Sequence, residues 1–286
     1  MNYRHAFHAG NFADVFKHAL LARVLTYMVR KPAGLRFLDT HAGIGIYDLG
    51  GGEASRTGEW RDGIGRLDPA AMPADILDLM TPYLAAVGPR GPDGGWRSYP
   101  GSPALAQWIL RPEDRLTLCE LHPDDVAALK ANVGRDKRVK VLASDGYAAL
   151  NALVPPPERR GLVLVDPPFE KTAEFATLLD AVLRAHRRWP TGSYMLWYPL
   201  KDRAAVGRFA NGLAGSGMKR VLQLQLHLMV GDPEAGPLAG CGLVLINPPF
   251  TLKGEAERLL PWLAATLARP GRSPEGAWAA RWLAGE

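Results

Sequence analysis

Two stretches of this 286-residue chain carry the same order of side chains, Asp166-Pro167-Pro168-Phe169 and Asn247-Pro248-Pro249-Phe250. Each sets an acid or amide before two prolines and an aromatic ring after them. The prolines fix the backbone, so that in the first copy the Asp166 carboxylate and the Pro167 carbonyl point the same way. Both are acceptors, and an exocyclic amino group offers two donors. Holding both hydrogens turns the nitrogen lone pair toward an electrophile, which favours in-line displacement by several kcal/mol. Phe169 offers a face on which a flipped or unpaired base can stack, for roughly 1–3 kcal/mol. Asp166 stands ready to accept the proton that the nitrogen releases. A Pro-Pro stop after a strand is the plainer reading, but the flanking acid and ring favour a site. Order separates the copies: the motif belongs after the fourth strand, beside the first, which suits Asp166. Asn247 follows the last candidate strand and reads as a structural turn.

Other clusters have the composition of a nucleoside-ligand site. Phe37-Leu38-Asp39-Thr40-His41-Ala42-Gly43-Ile44-Gly45 ends a strand and opens a loop whose small residues allow close backbone approach. It lacks the full G-x-G-x-x-G, which argues against a dinucleotide. His41 stands where a methyltransferase loop usually has Gly, either packing there or touching the methionine part of a cofactor. Glu120 ends the second strand, placed to accept from two ribose hydroxyls. Asp145 can accept from an adenine amino group while Gly146 lets the chain turn beneath the ring, although Asp-Gly is also an ordinary turn. Ser102-Pro103 reads as an N-cap and first helical position. Its alternative role is to receive the cofactor's methionine carboxylate at the helix N-terminus. These clusters imply S-adenosylmethionine as cofactor, S-adenosylhomocysteine as its product and methylation of an amino nitrogen. No metal-ligand spacing occurs.

The elements that must position these residues are legible in outline. A helix is predicted from about Asn11 to Arg30, with Asn11 as cap and Phe12, Val15, Phe16, Ala19, Val24 and Met28 at helical spacing. Seven apolar runs follow as candidate strands: Leu35–Leu38, Leu116–Cys119, Val139–Leu142, Leu162–Val165, Ser193–Trp197, Val221–Leu228 and Gly242–Ile246. Helical segments such as Pro123–Asn132 and Thr172–Arg188 separate most of them. The alternation predicts a single α/β domain over 1–286, Rossmann-like, with a mostly parallel seven-stranded sheet. The interval from the first strand to the second is far longer than a crossover needs. Residues of about 48–101, with a helix at Ala74–Val87, therefore read as a small, partly helical inserted subdomain over the strand ends.

Composition bounds the partners. The apolar share of 47% and charged share of 22% belong to a folded globular chain. The net charge of +5 matches the excess within residues 1–36, where Arg4, Lys17, Arg23, Arg30, Lys31 and Arg36 face Asp14 alone. A phosphate backbone would be drawn there, although a solvated basic helix has the same pattern. The run from Asn2 to Asn11 mixes aromatic, basic and imidazole side chains, which suits single-stranded RNA or a packed arm. Cys119 and Cys241 lie in apolar runs and read as buried hydrophobes, which suits a reducing cytoplasm. No signal peptide or membrane-length apolar run is present, no protein partner is called for, and a monomer suffices.

With these residues placed, the chain resembles the bacterial 23S rRNA adenine-N6 methyltransferase family, RlmJ. The resemblance rests on Tyr3-Arg4-His5-Ala6-Phe7-His8-Ala9-Gly10-Asn11, Ala13-Asp14-Val15, Lys17-His18, Leu38-Asp39-Thr40-His41-Ala42-Gly43 and Asp166-Pro167-Pro168-Phe169-Glu170. In that family the His41 form of the loop is usual. The resemblance implies that His18, His41, Ser102, Glu120, Asp145, Gly146 and Asp166 line the S-adenosylmethionine pocket. It also implies that Tyr3 meets the RNA, that Asp166 accepts the proton, and that adenine 2030 of 23S rRNA is the target. The residues alone leave room for a DNA amino-methyltransferase or an inactive RNA-binding Rossmann protein. No major-groove reading module is evident, and intact Asp166 and Phe169 argue against an inactive scaffold.

Overall fold

The computed structural model describes residues 4–91, 94–228, 238–268 and 277–285. The chain opens with α1 (Phe12–Met28), capped as its sequence predicts: the Asn11 side chain accepts from Ala13 N at 2.9 Å and Asp14 N at 3.1 Å. Strand β1 (Arg36–Asp39) follows, then β2 (Ile46–Asp48), α2 (Gly52–Thr57), α3 (Ala74–Val87), β3 (Ser98–Pro100) and α4 (Ser102–Ile109). Alternation then sets in with β4 (Arg115–Glu120), α5 (Pro123–Val133), β5 (Val139–Ala143), α6 (Gly146–Leu153), β6 (Gly161–Val165) and α7 (Glu174–Arg188). The chain continues through β7 (Ser193–Pro199), α8 (Arg203–Ala214), β8 (Val221–His227), β9 (Gly240–Ile246), α9 (Leu252–Leu267) and β10 (Trp278–Ala284).

The main sheet has eight strands in the order β10-β8-β9-β7-β6-β1-β4-β5. The seven-stranded expectation is therefore corrected by one edge strand. β10 pairs antiparallel with β8, and its Trp-Ala-Ala-Arg-Trp-Leu-Ala sequence is rich in alanine, a poor strand former, which hides it from pattern reading. The remaining pairs are parallel except those of β9, which runs against both β7 and β8. The parallel strand ends that carry loops with Asp39, Glu120 and Asp166 thus share one end of the sheet. β6 is buried throughout, which is why Leu-Val-Leu-Val reads as a continuous apolar run and not as an alternation.

Between β1 and β4 the chain forms the antiparallel pair of β2 and β3, with Tyr47 opposite Tyr99, together with α2, α3, α4 and short 3-10 turns. Helices α3 and α4 contact α1. That helix is buried on nearly every side, so its polar residues are enclosed as well. Arg23 pairs with Glu255 at 2.8 Å, and Lys17 is buried among carboxylates. Arg4 is bonded to Glu53 at 3.0 Å. The expected cationic N-terminal patch is accordingly dispersed: its charges are neutralised or carried to the opposite end of the sheet, where α1 ends and β1 begins. The two cysteines are buried and unpaired, and burial pushes the Cys119 thiol up to about 12. Among the described residues no helix is long and apolar enough to cross a membrane.

Candidate active site

A cavity of about 400 Å³ opens at the C-terminal ends of the parallel strands, between α1, the loop after β1, the start of α4 and the loop after β6. Its walls bring together seven of the residues predicted from sequence: His18, His41, Ser102, Glu120, Asp166, Pro167 and Phe169. Asp145 and Gly146 do not line it, and Tyr3 lies outside the described residues.

The loop after β1 is shaped by main-chain needs. Gly43 has φ +58°, and a Cβ there would collide with the Tyr47 hydroxyl, both of which favour glycine. Gly43 N donates to Glu120 Oε2 at 2.9 Å, while Leu121 N and His122 N donate to Oε1 at 2.7 and 3.0 Å. Three amides thus fix the Glu120 carboxylate at the cavity edge, with acceptor capacity left for a ligand. His41 pairs through Nδ1 with the Thr40 hydroxyl at 2.8 Å, and burial lowers its pKa. Gly146 packs beneath it: a Cβ there would strike the Thr40 carbonyl and lie 2.7 Å from the His41 ring. The glycine is thus required by contact with the loop after β1. Asp145 is exposed and caps α6, accepting from Ala148 N at 2.9 Å.

Ser102 departs from its predicted role as cap. Gly101 is the N-cap of α4, and Ser102 begins the helix with its hydroxyl donated to Asp39 Oδ2 at 2.6 Å. Asp39 is fully buried; desolvation, opposed by the Ser102 bond and reinforced by nearby Asp166, raises its pKa to about 7. The serine therefore satisfies a costly buried acid, a need that capping statistics do not reveal.

Asp166 follows β6 and meets a partner that motif reading missed. Lys17 Nζ lies 2.5 Å from Asp166 Oδ2 and 3.0 Å from Asp14 Oδ1. Asp14 Oδ2 is in turn bonded to His5 Nε2 and to Gly10 N, both at 2.9 Å. Burial opposes the Lys17 charge, yet Asp14 and Asp166 hold its pKa well above the usual value; Asp14 itself is held well below its own, against burial, by His5 and Lys17. A signal was available: α1 is apolar around its whole circumference, so Asp14 and Lys17 at i,i+3 had to be buried and paired. Trp197, at the end of β7, also lines the cavity and was not singled out.

His18, one turn from Asp14, is buried, with Nδ1 2.9 Å from the Tyr99 hydroxyl. Desolvation lowers its pKa to about 3, so it is neutral, and its Nε2 has no hydrogen-bond partner among the described residues. Phe169 adopts φ +51° and packs against Phe175 and Trp197 at centroid distances of 4.8 and 5.9 Å. The cavity wall is acidic, with Asp14, Glu59, Asp62, Glu120, Asp125 and Asp166 against Lys17 and Lys201.

The Asn247 copy sits elsewhere. Its Nδ2 donates to the Pro190 and Gly192 carbonyls, each at 2.8 Å, and its own carbonyl accepts from Ser193 Oγ at 2.9 Å. Because β9 runs antiparallel to β7, Asn247 emerges beside the start of β7, at the end of the sheet away from the cavity.

The family model described as Ribosomal RNA large subunit methyltransferase D, RlmJ, matches residues 32–284. Two curated proteins named Ribosomal RNA large subunit methyltransferase J are each 38% identical. That of Haemophilus influenzae aligns over 287 residues and 100% of both chains, and that of Escherichia coli over 272 residues and 95% of both. A crystal structure of a Legionella pneumophila protein superposes with a TM-score of 0.84 at 36% identity, covering 96% of this chain and 97% of its own. The chain belongs to the RlmJ family of ribosomal RNA large subunit methyltransferases.

Proposed function

We propose that the cavity binds S-adenosylmethionine and that the protein methylates N6 of an adenine in 23S rRNA, adenine 2030 by family resemblance. The observation that carries this reading is Asp166-Pro167-Pro168-Phe169 at the end of β6, opening into the same cavity as Gly43 and the Glu120 carboxylate that its amide holds. The cavity falls in the size range of small-molecule and cofactor sites. A buried His18 Nε2 without a hydrogen-bond partner among the described residues and a fixed Glu120 carboxylate fit a ligand with hydrogen-bonding groups at both ends. When bound, the cofactor supplies an activated methyl group on a sulfonium.

The chain's residues then do three things. Glu120 holds the ribose, with His18, His41 and Ser102 toward the methionine end; the adenine lies toward Asp145-Gly146, which stand outside the cavity lining with Gly146 packed under His41. Asp166 and Pro167 accept from the two hydrogens of the target amino group, aligning its lone pair. Lys17 takes one oxygen of Asp166, Oδ2, and keeps the carboxylate oriented, so that Oδ1 meets the amine. Asp166 is placed to take the proton that the target nitrogen would lose on methylation. Phe169 and Tyr3 hold the displaced base. The chain acts as one catalytic domain, with residues of about 48–101 as a subdomain that borders the entrance for RNA.

Mass mapping of total rRNA from cells with and without the gene tests the reading. A single N6-methyladenine should vanish from 23S rRNA and return with the wild-type chain but not with Asp166→Ala. Unchanged 23S modification would overturn it.

A further inference from the structure

The target is a polyanion, yet in the wall of the cavity that receives its base carboxylates outnumber lysines. A row of cations without carboxylate partners lies at the other end of the sheet. Each of the six strands that run in parallel is preceded there by an exposed cation: Lys31 before β1, Arg115 opening β4, Lys137 before β5, Arg159 before β6, Arg187 before β7 and Lys219 before β8. Strand register places these starts in one row, with Arg36 beside Arg115 and Gly161, Leu116 beside Val139, and Leu162 beside Ser193. None of the six pairs with a carboxylate among the described residues. The acids that share this end are already taken: Asp136 by Arg138 at 2.6 Å, Glu158 by Arg36 at 2.8 Å, and Glu113 and Asp114 by Arg111 at 3.2 and 2.9 Å.

From β5 to β8 the row spans six strand spacings, about 29 Å, which is long enough to meet several phosphates. It stands about 20 Å from Asp166 along the strands, within reach of a folded RNA whose target base enters the opposite end.

We infer that this basic rim is a second contact surface for the rRNA phosphate backbone, supplying affinity while the acidic cavity supplies selection and chemistry. The inference rests on the RNA-substrate reading above. RNA held by the rim would show the salt dependence of counterion release.

The test is Lys31→Glu/Arg115→Glu/Arg159→Glu, compared with the wild type for binding deproteinised 23S rRNA at several salt concentrations. Affinity should fall at least about tenfold at low salt, and the slope of log K against log salt should become shallower by about two. Cofactor affinity and the methylation rate at saturating RNA should be unchanged, and the charge-preserving triple Lys31→Arg/Arg115→Lys/Arg159→Lys should behave as wild type. If reversal impairs folding, Lys137→Gln/Arg187→Gln/Lys219→Gln tests the same row with a smaller change. Unaltered affinity and slope in a variant that still methylates would overturn the rim and spare the function. A wild type that binds rRNA through the rim but transfers no methyl group would overturn the function and spare the rim. Weakened binding confined to an assembling large subunit, with naked rRNA unaffected, would assign the rim to a protein partner and overturn the inference.

Discussion

The two Pro-Pro motifs share three of four residues and differ in every physical respect that matters. Asp166 follows a strand parallel to β1 and reaches the cavity, whereas Asn247 follows the antiparallel β9 and emerges about 13 Å away along the sheet. In the first copy the left-handed residue is Phe169; in the second it is Asn247, with φ +51° in both. Asp166 is held by one ammonium, Lys17, while Asn247 is occupied by two carbonyls and a serine hydroxyl. The aromatic rings diverge too, Phe169 packed in the cavity wall and Phe250 71% exposed. A short motif therefore specifies chemistry only together with the direction of the strand that delivers it.

The comparison breaks most sharply at the acid. Asp166→Ala should cut methyl transfer by about a thousandfold or more through lost alignment and proton acceptance. Its melting temperature should stay close to wild type, because Lys17 keeps Asp14. An active Asp166→Ala, or an inactive but folded Asn247→Ala, would reverse the assignment. Lys17→Met removes the shared cation of two carboxylates, one of them fully buried, and should cost about 3 kcal/mol in denaturant unfolding as well as activity. Stability equal to wild type would mean that the buried network contributes nothing.

Asn247→Ala loses two hydrogen bonds and puts alanine at positive φ, for about 2 kcal/mol of stability with the rate at saturating substrate unchanged. Asn247→Gly keeps the backbone and should recover part of that loss; recovery of none would place the cost in the hydrogen bonds alone. Phe250→Ala should fall within about 0.5 kcal/mol of wild type, as an exposed substitution does. A larger loss would show that its edge contact with Tyr27, at 5.7 Å, carries weight.

Some of this was readable before folding was considered. The Asn11 cap, the Ala74–Val87 helix and the Leu162–Val165 strand depend on neighbours in the chain, and local pattern found them. The edge strand β10 did not announce itself, because its alanines take their conformation from β8. Ser102 read as a cap because Ser-Pro statistics are local, whereas its partner Asp39 is 63 residues away. The N-terminal charges read as one patch because sequence distance was taken for spatial distance. In the fold, Lys17 and Arg23 are buried, and Lys31 joins a row with residues that follow it by more than a hundred positions.

The sequence by itself carried the motif on which the proposed chemistry rests, acceptors on a proline-stiffened turn, and determined the alternation that forces a mostly parallel sheet. These follow from side-chain identity and short-range periodicity. Tertiary structure decided which Pro-Pro copy faces the cavity, that Lys17 and Asp14 stand behind Asp166, and that unpaired cations gather at the opposite end. Strand direction and burial set those outcomes, and both arise only when residues distant in the chain pack together.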